Sequence, residues 1–217
     1  MKTLIAIPCM DSTFIGFQKA LINLKMPAGT AQCFKPNSLV YDSRNLLSLT
    51  AIENGFDRVL WLDSDMTFPE ETLVYMSEKM DRLQCDMLTG IYFKRHEPYS
   101  PVIYKRVDPP DKSGDTFVKN INEYIDFPAD VQEFQVEGCG FGCVLTTTSL
   151  LKKVWDKFGP AFTPYPWAGE DVSFCYRVKQ LGIPIYCDPS IPLGHIGIHT
   201  YTIDDFLRYS HKAGDNI

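Results

Sequence analysis

Two aspartates one residue apart, Asp63 and Asp65, end the apolar run Val59-Leu60-Trp61-Leu62. Like charges this close repel, so the pair needs either open water or a cation. At the end of a strand, residues i and i+2 aim their side chains to the same side. Two carboxylates so placed suit Mg2+ or Mn2+ held jointly with substrate phosphates. The plainer reading has Asp63 accepting loop N–H bonds while Asp65 faces water. A second acidic pair, Glu170-Asp171, follows the loop TPYPWAG and opens an amphipathic segment. Acids in a first helical turn complement the helix dipole, stabilising it by ~0.3–1 kcal/mol. A carboxylate held at a helix start beside a cleft is also well placed as a general base. His195 stands in LGHIGIHTYT, with His199 close behind. An imidazole in an otherwise oxygen-rich site favours Mn2+ over Mg2+. Ser43-Arg44-Asn45 sits at a helix start, where an arginine either meets phosphate or points to solvent.

These residues need elements to position them. Thr3 to Ile7 is a short apolar run ending at Pro8 and reads as a buried strand. Apolar spacing predicts a helix from Phe14 to Leu24, capped by Asp11 or Ser12, and residues 30–35 read as a second strand. Asp42-Ser43 opens a second helix that Gly55 closes. Arg58 to Leu62 is the next strand, Pro69-Glu70-Glu71 starts a third helix, and Cys85 to Phe93 is a further strand. Alternating strands and helices predict a parallel sheet covered on both faces, with ligands at the carboxyl ends of its strands. Asp63 and Asp65 occupy such an end.

After residue 93 the pattern changes. Residues 94–135 carry Pro98, Pro101, Pro109, Pro110 and Pro128 among alternating runs, which read as antiparallel strands and loops. The run Glu137 to Gly142 lacks the strand-GxGxxG-helix order of a dinucleotide site. It reads as a loop whose backbone approaches substrate or a neighbouring strand closely. Glu170 to Leu181 is an amphipathic helix, IPIYCD a last short strand, and a final helix begins near Thr202 to Asp205. The expectation is one domain over 1–217: a nucleotide-binding half (1–93), an acceptor and catalytic half (94–200), and a C-terminal helix and tail (201–217).

Composition narrows the function classes. A 217-residue chain with 45% hydrophobic and 22% charged residues buries an adequate core without metal or disulfide support. Its net charge of −6 argues against broad binding to nucleic acid or anionic membrane. Seven cysteines, none in a CxxC, read as free thiols in a reducing cytoplasm. The N-terminal apolar run is too short for a signal peptide, and no run is long enough to span a membrane.

In combination the motifs resemble the GT-A fold glycosyltransferases, close to family 2. The order is IAIPC on the first strand, SRN at a helix start, and VLWLDSDMTFP as the Asp-x-Asp motif. GCGFGCVL before a helix, the acidic pair of AGEDVSFCYRV and the late histidine of GHIG complete it. The resemblance spans about residues 3–200. It implies a nucleotide-sugar donor, a hydroxyl acceptor, a bound Mn2+ or Mg2+ and transfer with inversion. Pro8 and Arg44 would lie near the nucleotide, and Asp63 would touch its ribose or its metal-bound water. Asp65 and His195 would hold the metal, Gly140 would border the sugar or acceptor, and Asp171 or Glu170 would be the base. Asp11 only approximately matches the acidic residue that the family places after its first strand.

Three rivals compete. Asp63-Ser64-Asp65-Met66-Thr67 matches the DxDxT motif of haloacid dehalogenase-type phosphatases and phosphotransferases, with Asp63 as nucleophile. That motif normally lies on the first strand, and here two strand–helix units precede it. A sugar- or nucleotide-binding protein with a degenerate site is disfavoured, because both acidic pairs and the histidine are present. A nucleotidyltransferase would need a Gly-rich loop with Arg and Lys after the first strand, which PCMDSTFIG lacks.

Overall fold

The computed structural model describes residues 1–113, 116–124, 132–198 and 203. The chain begins β1 (Thr3–Pro8), α1 (Ile15–Asn23), β2 (Thr30–Lys35), α2 (Val40–Glu53), β3 (Arg58–Leu62) and β4 (Met66–Thr67). It continues α3 (Thr72–Leu83), β5 (Met87–Ile91), β6 (Ile103–Ser113), β7 (Thr116–Glu123), β8 (Phe134–Val136) and β9 (Gly138–Cys139). It ends β10 (Cys143–Thr147), α4 (Thr148–Phe158), α5 (Glu170–Gln180), β11 (Ile185–Pro192) and β12 (Gly194–His195). The helix expected near Thr202 and the tail to 217 fall, apart from Ile203, outside the described residues, as does His199.

Seven strands form the central sheet in the order β2-β1-β3-β10-β5-β11-β8. The pairs β1–β2, β1–β3 and β5–β11 are parallel, while β10 runs antiparallel to both β3 and β5, and β8 antiparallel to β11. The fold is α/β with a largely parallel sheet, as expected, but the sheet is mixed. The apolar run that starts at Cys143 is a sheet strand that separates β3 from β5. A smaller antiparallel sheet, β7-β6-β9, lies in the second half.

The central strands β1, β3 and β5 are apolar because both faces are covered. On β1 and β3, Leu4, Ala6, Val59 and Trp61 join one core with residues of α2, α4 and α5. The alternate residues Ile5, Ile7, Leu60 and Leu62 join a second core with residues of α1 and α3. Buried Trp61 donates its indole N–H to Thr146 Oγ1 at 3.0 Å, which ties β3 to β10.

Three helix starts differ from expectation. The first helix begins after Phe14, with no side-chain cap from Asp11 or Ser12. The second begins at Val40, two residues before Asp42, with Leu39 as N-cap accepting from the Ser43 N–H at 3.0 Å. The third begins at Thr72 rather than at Pro69: the Thr72 N–H and hydroxyl both donate to the Pro69 carbonyl in a turn, and Glu71 is the N-cap. β5 is also shorter than the predicted Cys85–Phe93 strand. All seven cysteines are free, and five of them are buried.

Candidate active site

The carboxyl ends of β1 and β3 open onto a cleft of about 230 Å3, lined in part by Pro8, Met10, Ser43, Asp63, Asp65 and Glu170. Its floor is Arg44, only 2% exposed. The Arg44 guanidinium lies 5.2 Å over the Phe141 ring and 5.9 Å over that of Phe162, and its Nη2 donates to Asp63 Oδ1 at 2.8 Å. Nε stands 3.5 Å from Glu170 Oε1, an ion-pair contact beyond good hydrogen-bond length. Nη1 has no hydrogen-bond partner among the described residues. An exposed arginine is thereby excluded. Burial disfavours the Arg44 charge, and Asp63, Glu170 and Asp171 more than offset it, so the guanidinium is held charged. Of its neighbours in the SRN motif, Ser43 lines the cleft and meets Ser38, while Asn45 is structural, its Oδ1 accepting from the Phe162 N–H at 2.8 Å.

Asp63 and Asp65 have different surroundings. Burial, together with the nearby Asp65, raises the Asp63 carboxyl above its ordinary range despite the Arg44 bond. Asp65 is held below that range, because His195 and Arg95 outweigh its partial burial. The turn through Ser64 leads into β4, which pairs with β12 so that His195 lies opposite Met66 and its ring reaches Asp65. His195 Nδ1 lies 2.8 Å from the Phe93 carbonyl, which can only accept, so Nδ1 carries the proton. His195 Nε2 then faces Asp65 Oδ2 at 3.4 Å. The hydrogen bond to Asp65 raises the proton affinity of His195, so the pair is an imidazolium–carboxylate contact as it stands. The Phe93 carbonyl fixes the ring so that Nε2, once deprotonated, could face a cation. Among the described residues no group of three or more His, Cys, Asp or Glu could hold a metal alone. Asp65 and His195 could at most supply two ligands to a cation, which would have to take the rest from substrate oxygens.

Glu170 and Asp171 form the first turn of α5, whose N-cap is Gly169 with no side-chain cap, so neither acid caps the helix in the usual way. Glu170 faces the cleft and Arg44. Asp171 Oδ1 accepts from the Val172 N–H at 2.7 Å. Burial, with Glu170 alongside, pushes the Asp171 carboxyl up to about 6.

Pro8 lines the cleft, whereas Asp11 is exposed just beyond Met10. Gly140 is buried and is not among the residues that line the cleft. A Cβ there would collide with Tyr92 Oη, so its part is to make room for Tyr92, whose hydroxyl accepts from the Gly142 N–H at 3.2 Å. The close backbone approach expected of this loop is thus made to a neighbouring side chain. Arg95 escaped the sequence reading, although its Nη1 donates to Asp65 Oδ2 at 3.0 Å. The signal was a basic residue four positions beyond a buried parallel strand, the same kind of address that singled out Asp63.

The sheet, its flanking helices and the cleft at its carboxyl edge define a GT-A fold. No family model matches the sequence, and a search of curated proteins gives no match. Among solved structures, A197 from STIV superposes with a TM-score of 0.62 at 19% identity, covering 93% of this chain and 97% of that one. GalNAc-T7 with UDP, GalNAc and Mn2+, a glycosyltransferase, superposes with a TM-score of 0.59 at 9% identity, covering 91% of this chain and 43% of that chain. The chain thus spans less than half the length of GalNAc-T7, and these likenesses concern the fold. Among the described residues no helix is long and apolar enough to cross a membrane.

Proposed function

We propose that this chain is a metal-dependent glycosyltransferase of family 2 type, moving a sugar from a nucleotide-diphosphate donor to a hydroxyl acceptor with inversion. One observation carries the reading: Asp65, Asp63, Arg44 and Glu170 converge on a single cleft at the carboxyl ends of β1 and β3. Asp65 and His195 would hold Mn2+ or Mg2+, which when bound stabilises charge on the departing diphosphate. Arg44 holds Asp63, which would face the ribose or a metal-bound water. Pro8 would border the nucleotide, and the exposed Asp11 follows three residues on. The base would be Glu170, which lines the cleft, or Asp171 beside it, whose carboxyl burial pushes up to about 6. The seven free thiols suit a cytoplasmic setting.

The phosphatase alternative needs Asp63 free to attack phosphorus, yet Arg44 holds one of its oxygens. The motif also follows the third strand rather than the first, and its Met66-Thr67 pairs with Gly194-His195. The deciding experiment is a nucleotide-sugar panel with Mn2+. Slow hydrolysis of at least one donor is expected, lost in Asp65→Ala. Cleavage of a generic phosphate ester without turnover or binding of any donor would establish the phosphatase instead.

A further inference from the structure

A second cleft, of about 400 Å3, opens on the same edge of the sheet, beyond the ends of β5 and β11. One wall is the turn after β5, with Phe93, Lys94, Arg95 and Tyr99, and the other is the segment from Leu193 to Ile198. The two clefts meet at Asp65, which lines the first, while its partners Arg95 and His195 line the second. In a chain of net charge −6, three basic residues line this cleft, and among the described residues no Asp or Glu does. Arg95 is seated before any ligand arrives. Its Nη1 donates to Asp65 Oδ2 and to the Ile196 carbonyl, each at 3.0 Å. Its stem lies over Gly197 so closely that a Cβ there would stand 2.8 Å from Arg95 Cδ. Nε and Nη2 have no partner among the described residues, and the side chain is 47% exposed. That free edge is the fork that pairs with a carboxylate or phosphate through two parallel bonds. Lys94 Nζ gives one donor to Glu123, which lies outside the lining, and keeps two more.

From this arrangement we propose that the second cleft is a binding site for an organic anion, a carboxylate or a phosphate ester. Its charged end pairs with Arg95 and Lys94, and its apolar part lies against Tyr99 and Phe93. Tyr99 is 56% exposed, so its ring is open to such a contact. Because Arg95 is already fixed by Asp65, Ile196 and Gly197, little ordering of its side chain remains to oppose binding. The site needs neither nucleotide nor metal, so it stands or falls apart from the glycosyltransferase reading. A ligand there lies beside the contents of the first cleft, the placing required of a second substrate.

The test titrates the full chain, free of metal and nucleotide, with benzoate, phenyl phosphate, inorganic phosphate and benzyl alcohol by isothermal calorimetry. Benzoate or phenyl phosphate should bind at least about tenfold more tightly than uncharged benzyl alcohol, the tighter of the two naming the anion. Added salt should weaken that binding. Arg95→Met should weaken it about tenfold, and Lys94→Met, which leaves the Asp65 contact alone, about threefold. Tyr99→Ala should weaken phenyl phosphate without altering inorganic phosphate. Benzyl alcohol binding as tightly as both organic anions would overturn the proposal. So would anion binding indifferent to both Arg95→Met and Lys94→Met, which would place the anion elsewhere on the chain. Since no donor is present, failure here is told apart from failure of the nucleotide-sugar panel.

Discussion

A carboxyl group that titrates near 6 inside a fold leaves two separate marks, one on stability and one on rate. Asp171 has its proton affinity raised by burial and by Glu170, relative to an ordinary aspartate. Its folded-state pKa exceeds its unfolded one, so its contribution to stability is full below about 4 and is lost as pH rises through about 6. Asp171→Asn, which keeps the oxygen that accepts from Val172, should therefore stabilise the fold at pH 7.5, by on the order of 2 kcal/mol. That gain should fade towards pH 4 in parallel thermal melts. If Asp171 is the base, the same substitution abolishes transfer, and the rate in the unsubstituted chain climbs through about pH 6. A gain in stability that ignores pH would remove the electrostatic account. At this scale Asp63 and Asp65 stood out because the apolar run Val59 to Leu62 stops abruptly at them, and Glu170-Asp171 because they open a helix. Arg95 was not, since its partners Asp65 and Ile196 meet only through the register of β4 with β12.

At the scale of elements, the loop between β9 and β10 passes so close to Tyr92 that side chain and backbone share the space. Gly140→Ala places a methyl against Tyr92 Oη and Val102 Cγ1, and should cost about 1–3 kcal/mol in denaturant melts. Tyr92→Phe alone strands the Gly142 N–H, while in the double variant the missing hydroxyl relieves the clash. The two losses should fall short of additivity by at least about 0.5 kcal/mol. Strict additivity would show that the loop moves away instead. The positions of β1, β3 and β5 were readable because continuous apolar runs betray strands covered on both faces. The insertion of β10 was not readable. Cys143 to Thr147 begins with the apolar character of any buried segment, and its antiparallel seat depends on partners far upstream in the chain. Leu145, for example, lies opposite Leu60 of β3 on one side and Leu88 of β5 on the other.

At the scale of the whole molecule, two cores share one sheet. Trp61, Phe141, Phe162 and Phe174 pack on one face, while Phe17, Met76 and Met80 pack on the other. Because alternate residues of the same strands feed both cores, neither face can open without disturbing the other. Tryptophan fluorescence and far-UV circular dichroism should therefore trace one coincident unfolding transition in denaturant. Two separated transitions would divide the chain into units and end its reading as a single domain. The seat of β10 has a further consequence, for the order in which a ribosome makes the chain. Since β10 lies between β3 and β5, those two strands have no hydrogen bonds to make with each other when they first emerge. At roughly 5–20 residues per second, they wait some seconds for residues 143–147 to close the seam between them. During that interval each exposes an unpaired edge, the kind of surface on which nascent chains stick to one another. Asp63 and Asp65 stand at the end of that seam, so the site takes shape only late in synthesis.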